Sequence, residues 1–266
     1  MKRREKSIII FLLLTFALSS ICYFVYIFYG ETASSITALL MWCPGISAFI
    51  IKIIFYRKEK IIKFQRCPIV FILLGIFIPV FYLGISYAIY WLINPFAFTG
   101  QIYSTSITFY ILAFLSSIIT AMGEEIGWRG FLLPKMSEIF HPVPTVIICG
   151  LIWAVWHYPL LIAGLYQSGT PLYYQLPVFT LEVILITGTL FYLRMRSHSI
   201  WPAILLHASH NYIDQLICAP LTQSDDSAYF AGETGLITVV CIVIIVILLA
   251  TKSSKNSFIS YSNKRY

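Results

Sequence analysis

Thr120-Ala121-Met122-Gly123-Glu124-Glu125-Ile126-Gly127-Trp128-Arg129-Gly130-Phe131 sets two adjacent carboxylates and an arginine inside a chain otherwise built of long apolar runs. On an insertion scale a carboxylate or guanidinium at mid-bilayer costs about 2.5 to 3.5 kcal/mol, so three charges this close together exclude a lipid-facing position. They face protein or a water-filled cavity. Glu125 and Arg129 stand four residues apart and share a helix face, which suits an ion pair. Glu124 points about 100° away around the axis. The reading is that Arg129 neutralises Glu125 and leaves Glu124 free as a candidate general base. A purely structural charge cluster tying two helices stays open for Glu125 and Arg129; a second, unpaired carboxylate would add cost to such a tie without strengthening it.

The rest of the chain supports a membrane setting. Of 266 residues 59% are hydrophobic and 11% charged, whereas soluble domains carry about a quarter charged residues. The expected fold is all-α, a polytopic membrane bundle of about eight transmembrane helices in a single integral membrane domain, residues 1–266. The net charge of +7 does not imply nucleic acid, because the basic residues gather at the ends of apolar runs and form no stripe. The six cysteines have no CxxC spacing and read as buried thiols.

The apolar runs predict spans over Ser7–Tyr29, Ile36–Tyr56 with a kink at Pro44-Gly45, Pro68–Leu92, Ser104 to about Leu132, Thr145–Gly164, Gln175–Leu193, Ile200–Cys218 and Gly235–Thr251. Pro134 to Pro144 reads as a connector, and Lys252 to Tyr266 as a polar, loosely ordered tail. The alternate connections 30–35, 93–103, 165–174 and 219–234 contain no Lys or Arg. By the positive-inside rule both termini belong in the cytoplasm of a cell-membrane, multi-pass protein. No internal repeat of the inverted-transporter kind is visible.

Polar residues inside the later spans gather into a constellation. Trp153 and His157 share a face of the fifth span, and His207, His210, Asn211 and Asp214 make one polar stripe on the seventh. One histidine in a membrane helix is ordinarily an interhelical hydrogen-bond partner. A whole stripe exceeds what one contact requires. Counting rise per residue brings Glu124, His157 and His207 to comparable depths, in a polar cavity formed by the fourth, fifth and seventh helices and open to the cytoplasm. Glu182 reads as a helix tie nearer the outer side, and Asp214 as a residue orienting Asn211.

Glu124-Glu125-x-x-x-Arg129, Trp153-x-x-x-His157 and His207-x-x-x-Asn211 resemble, in order and on separate spans, the three-motif signature of the CAAX protease and bacteriocin-processing (CPBP, Abi-like) family of intramembrane endopeptidases. The resemblance covers roughly residues 104–218, the expected catalytic core, and departs from the family pattern where Trp153 stands in place of the usual Phe. It implies Glu124 as general base on water, assisted by His157, with His207 and Asn211 stabilising the oxyanion and Glu125, Arg129 and Trp153 in support. Asn donates without titrating, and His donates and shuttles a proton.

The cofactor reading leans towards none. A divalent metal such as zinc held by Glu124, His157 and His207 is the alternative, since two histidines and a carboxylate also suit a hydrolytic ion; the family is often labelled metalloprotease, yet no HExxH helix is present. The expected partners are membrane lipids and a peptide or lipidated peptide, either a prenylated CAAX-type chain or a bacteriocin or signal peptide. The competing class is a non-catalytic membrane protein, a bacteriocin immunity factor or small transporter whose polar stripe binds without cutting.

Overall fold

Large apolar side chains face outward and small polar ones inward, the inverse of a soluble bundle. On α1 (Arg3–Tyr29) Ser7, Phe11, Thr15, Ser19 and Cys22 are buried, while Leu13, Ile21, Phe24 and Phe28 are exposed. A chain that takes its solvation from lipid is free to do this, because helix pairs in lipid are held by close packing and hydrogen bonds. The Ser19 hydroxyl, for instance, accepts the Trp156 indole N–H at 2.7 Å.

The computed structural model describes residues 2–30, 35–166 and 169–254. The expected tail from residue 255 on, and parts of two basic-free connections, lie outside them. After α1 come α2 (Ile36–Phe55) and α3 (Ile69–Ile93). The fourth element, α4 (Ile107–Ser137), is α-helical to Glu125, π-helical over Ile126–Leu132 and α-helical again over Leu133–Ser137. Next are α5 (Pro142–Ile162) and α6 (Leu172–Ser197). Then α7 (Trp201–Asn211) runs on as a π-helix over Tyr212–Cys218, and after a short turn at Ser227–Phe230 comes α8 (Leu236–Ser254).

Among the described residues six helices, α1 to α6, are long and apolar enough to cross a membrane by themselves. The polytopic all-α bundle is as expected, and its last two helices differ from the other six. α8 offers a shorter apolar stretch, Leu236–Lys252. α7 is short and polar because it is sheathed by α3, α4 and α6 and has no need of a lipid-facing apolar surface. One local expectation also changes. Pro134 does not end α4, since it falls in the first turn of the α-helical segment that restarts after the π-helix, where a missing N–H is tolerated. Pro44 and Gly45 lie inside α2 and serve as a contact surface.

That surface belongs to one of three glycine seams. A Cβ on Gly45 would lie 2.6 Å from the Gly123 carbonyl oxygen, and one on Gly127 only 2.4 Å from Pro44 Cβ, so α2 and α4 meet backbone to backbone beside the two glutamates. Gly75 on α3 meets Pro202 of α7 at 2.6 Å, and Gly150 on α5 meets Ile184 of α6 at 2.8 Å, in the same way. The six cysteines are free, four buried and Cys67 and Cys241 half-buried.

Candidate active site

The lower half of α4 is where the bundle is most enclosed. Its first half is lipid-exposed at Ile107, Ile111 and Leu112, whereas every residue of Ile126–Leu132 is buried. π-Helical turns are rare and frequently mark functional sites; here one follows Glu125 and another follows Asn211.

Glu125 is fully buried and receives two donors on one oxygen. Arg129 Nη1 and His207 Nδ1 both stand 2.9 Å from Glu125 Oε1. The ion pair expected from the four-residue spacing is formed, and Glu125 also orients His207, a link across 82 positions that no local pattern announces. Arg129 is 1% exposed, donates through Nη2 to Thr187 of α6 at 3.3 Å, and lays its guanidinium 3.8 Å over the Trp153 ring.

Glu124 has no cation of its own, but it is not free. Its Oε2 accepts the Trp153 indole N–H at 2.8 Å and that of Trp128 at 3.4 Å. Trp153 thus separates the two acids: its edge holds Glu124 while its face carries the arginine of Glu125. A phenylalanine at this position would keep the face and lose the bond.

His157 Nδ1–H donates to the Trp153 carbonyl at 2.9 Å, leaving Nε2 as the lone-pair nitrogen of the neutral ring. The ring packs against Tyr166 and Phe179. Glu124 lies within electrostatic range of both His157 and His207. His157, His207, Asn211 and Trp153 line one cavity of about 30 Å³, room for a water or two.

The polar stripe of α7 is divided among several neighbours. His207 turns to Glu125 and Asn211 to the cavity. His210 Nδ1 meets the Tyr82 hydroxyl and its Nε2 stands 3.4 Å from Glu233. Asp214 accepts from Tyr87 at 2.9 Å. Glu182, read as a helix tie, finds no helix to tie: it lines the cavity with neither oxygen hydrogen-bonded. The cavity is also walled by Tyr166 and Glu233, both from connections that carry no Lys or Arg, so it lies towards the basic-free end and not towards the basic end expected. Among the described residues no three His, Cys, Asp or Glu side chains come together at metal-ligand spacing. Glu124, His157 and His207 therefore do not fit a zinc ion as a ready-made ligand set.

Residues 106–213 match the family model described as Type II CAAX prenyl endopeptidase Rce1-like. This segment is similar to the CAAX prenyl endopeptidases. The CAAX prenyl protease 2 of Methanococcus maripaludis is 30% identical over 171 residues, which take in 57% of this chain and 62% of that protein. Similarity thus reaches beyond the segment that carries the three motifs of the CAAX endopeptidases, though it leaves more than a third of the relative's length unmatched.

Proposed function

We propose that the protein is an intramembrane endopeptidase that hydrolyses a peptide bond with a water activated by Glu124. What supports this most is that His157, His207 and Asn211 from α5 and α7 line one water-sized cavity together with Trp153, whose indole N–H holds the carboxylate of Glu124 on α4. The indole N–H groups fix the Glu124 carboxylate while leaving it the only acid of the motif without a cation. Glu124 takes the proton of a water in the cavity and the water oxygen attacks the scissile carbonyl. His157, anchored through Nδ1, uses Nε2 to carry that proton to the leaving amine. His207, paired through Nδ1–H with the Glu125 carboxylate and acting as the imidazolium, donates through Nε2–H, and Asn211 through its amide, to the developing oxyanion, a type of contact that is worth about a hundred- to a thousandfold in kcat per donor. The donor set supports a reaction in which this chain's own residues move the protons, and no step is routed through a metal.

The substrate proposed is a peptide that reaches the cavity from the membrane; the family points to a prenylated, CAAX-type chain, with bacteriocin or signal peptides as the other peptide class. Both termini are proposed to lie in the cytoplasm, where the basic connections belong. The test compares peptide termini, by mass spectrometry, in cells lacking the protein and in cells restored with wild type or Glu124→Gln. New termini that appear with wild type alone are expected. Identical profiles would favour the non-catalytic binding class.

A further inference from the structure

Half of the cavity is left unused by the reaction just described. Glu182 projects from α6 into it, is 1% exposed, and has no hydrogen-bond donor on either carboxylate oxygen. Buried polar groups are almost always partnered, and an exception calls for a reason. Glu233, 4% exposed, lines the same cavity from the connection before α8. Its oxygens take the Tyr166 hydroxyl, His210 Nε2 at 3.4 Å and Gln215 Nε2 at 3.4 Å. No Lys or Arg lines this space, and Arg129 is held by Glu125, Thr187 and the Trp153 face.

Size and approach narrow the missing partner. About 30 Å³ of room suits a group no larger than a water or two. A primary ammonium is that small and brings three donors, whereas a guanidinium is a broad planar fork. The connections at this end of the bundle carry Asp225, Asp226 and Glu233 and no basic residue. The Ser224 and Tyr90 hydroxyls hold the Asp226 carboxyl below its ordinary range, so the approach is negative at neutral pH and attracts cations.

We propose that Glu182, with Glu233 beside it, forms a subsite that takes a primary ammonium of the peptide substrate, a lysine side chain or a free amino terminus. The inference rests on the peptidase reading and adds a charge preference to it. The experiment digests a synthetic peptide library with protein purified in detergent, using wild type, Glu182→Gln, Glu182→Asp and Glu124→Gln. Each peptide is presented in four forms: unmodified, lysine-acetylated, amino-terminally acetylated and with arginine in place of lysine. For wild type, acetylation at the recognised amine is expected to lower kcat/KM by roughly ten- to a hundredfold, as for loss of a charge-assisted bond. Which acetylation does so identifies the lysine or the terminus as the source. Glu182→Gln is expected to erase the preference while still cutting acetylated peptides, and Glu182→Asp to restore part of it.

Equal cleavage of free and acetylated peptides by wild type, or a preference that survives Glu182→Gln, would overturn the subsite. The acetylation arm needs wild type alone, so it decides even if a variant does not accumulate. If wild type and Glu124→Gln both leave every peptide intact, it is the peptidase reading that fails, and the subsite falls with it.

Discussion

Arg129→Ala should unfold the protein at a lower temperature by an amount that follows from its burial. Arg129 and Glu125 are 1% and 0% exposed and meet at 2.9 Å. Removing one member of a buried pair leaves the other charge uncompensated, at a cost of about 3 to 5 kcal/mol. Glu125 is poorly placed to absorb that loss, because its Oε2 already lacks a partner. In a chain of this size each kcal/mol moves Tm by roughly 2 to 4 °C, so the drop should be roughly 6 to 20 °C. The assay is thermal unfolding of detergent-purified protein by tryptophan fluorescence, with membrane accumulation measured alongside. The double variant Glu125→Leu with Arg129→Leu removes both charges and should regain most of the lost stability. It should remain inactive, because His207 then has no acceptor for Nδ1–H. A wild-type Tm for Arg129→Ala, or a double variant no more stable than the single one, would show that the pair does not stabilise the bundle as its burial implies.

Trp153→Phe keeps the aromatic face beneath Arg129 and deletes the N–H that Glu124 accepts at 2.8 Å; kcat/KM should fall by about tenfold with Tm nearly unchanged, and an unaltered rate would mean that this bond does not position the base. Gly127→Ala places a Cβ 2.4 Å from Pro44 Cβ and should cost about 1 to 3 kcal/mol while displacing Glu124, so both Tm and cleavage should drop; normal values of both would refute the seam. Cleavage by purified protein should persist in the presence of EDTA or phenanthroline, and loss of activity restored by added zinc would overturn the metal-free mechanism.

Much of the site was legible because local spacing carries it. The four-residue step from Glu125 to Arg129 is an ion-pair spacing on any helix, and His207 and Asn211 fall on one face by the same arithmetic. Three things lay beyond it. The stripe on α7 was read as one surface, yet a helix sheathed on several sides hands neighbouring positions to different partners, His210 to Tyr82 and Asp214 to Tyr87. Glu182 sits alone in an apolar run, and only the fold turns it into the cavity beside Glu233, 51 positions later in the chain. The π-helical turns after Glu125 and Asn211 have no residue signature, since they follow from packing and not from propensity. The glycines of the seams were visible, but nothing local says which helix each one meets.

Those seams divide the labour of the bundle. Each welds two helices into a rigid plank, α2 with α4, α3 with α7, and α5 with α6, and each plank carries one portion of the machinery: Glu124, the His207 and Asn211 pair, and His157. The cavity between them has room for a water or two, so the peptide of the proposed reaction has to displace side chains to enter it. Helices touching backbone to backbone cannot slide past or tilt against each other without breaking the contact, whereas long side chains between planks can swing aside. In the proposed reaction the joints that yield to a peptide are those between planks, where side chains and not backbones meet, so the base, the shuttle and the oxyanion donors stand on parts that can shift relative to one another.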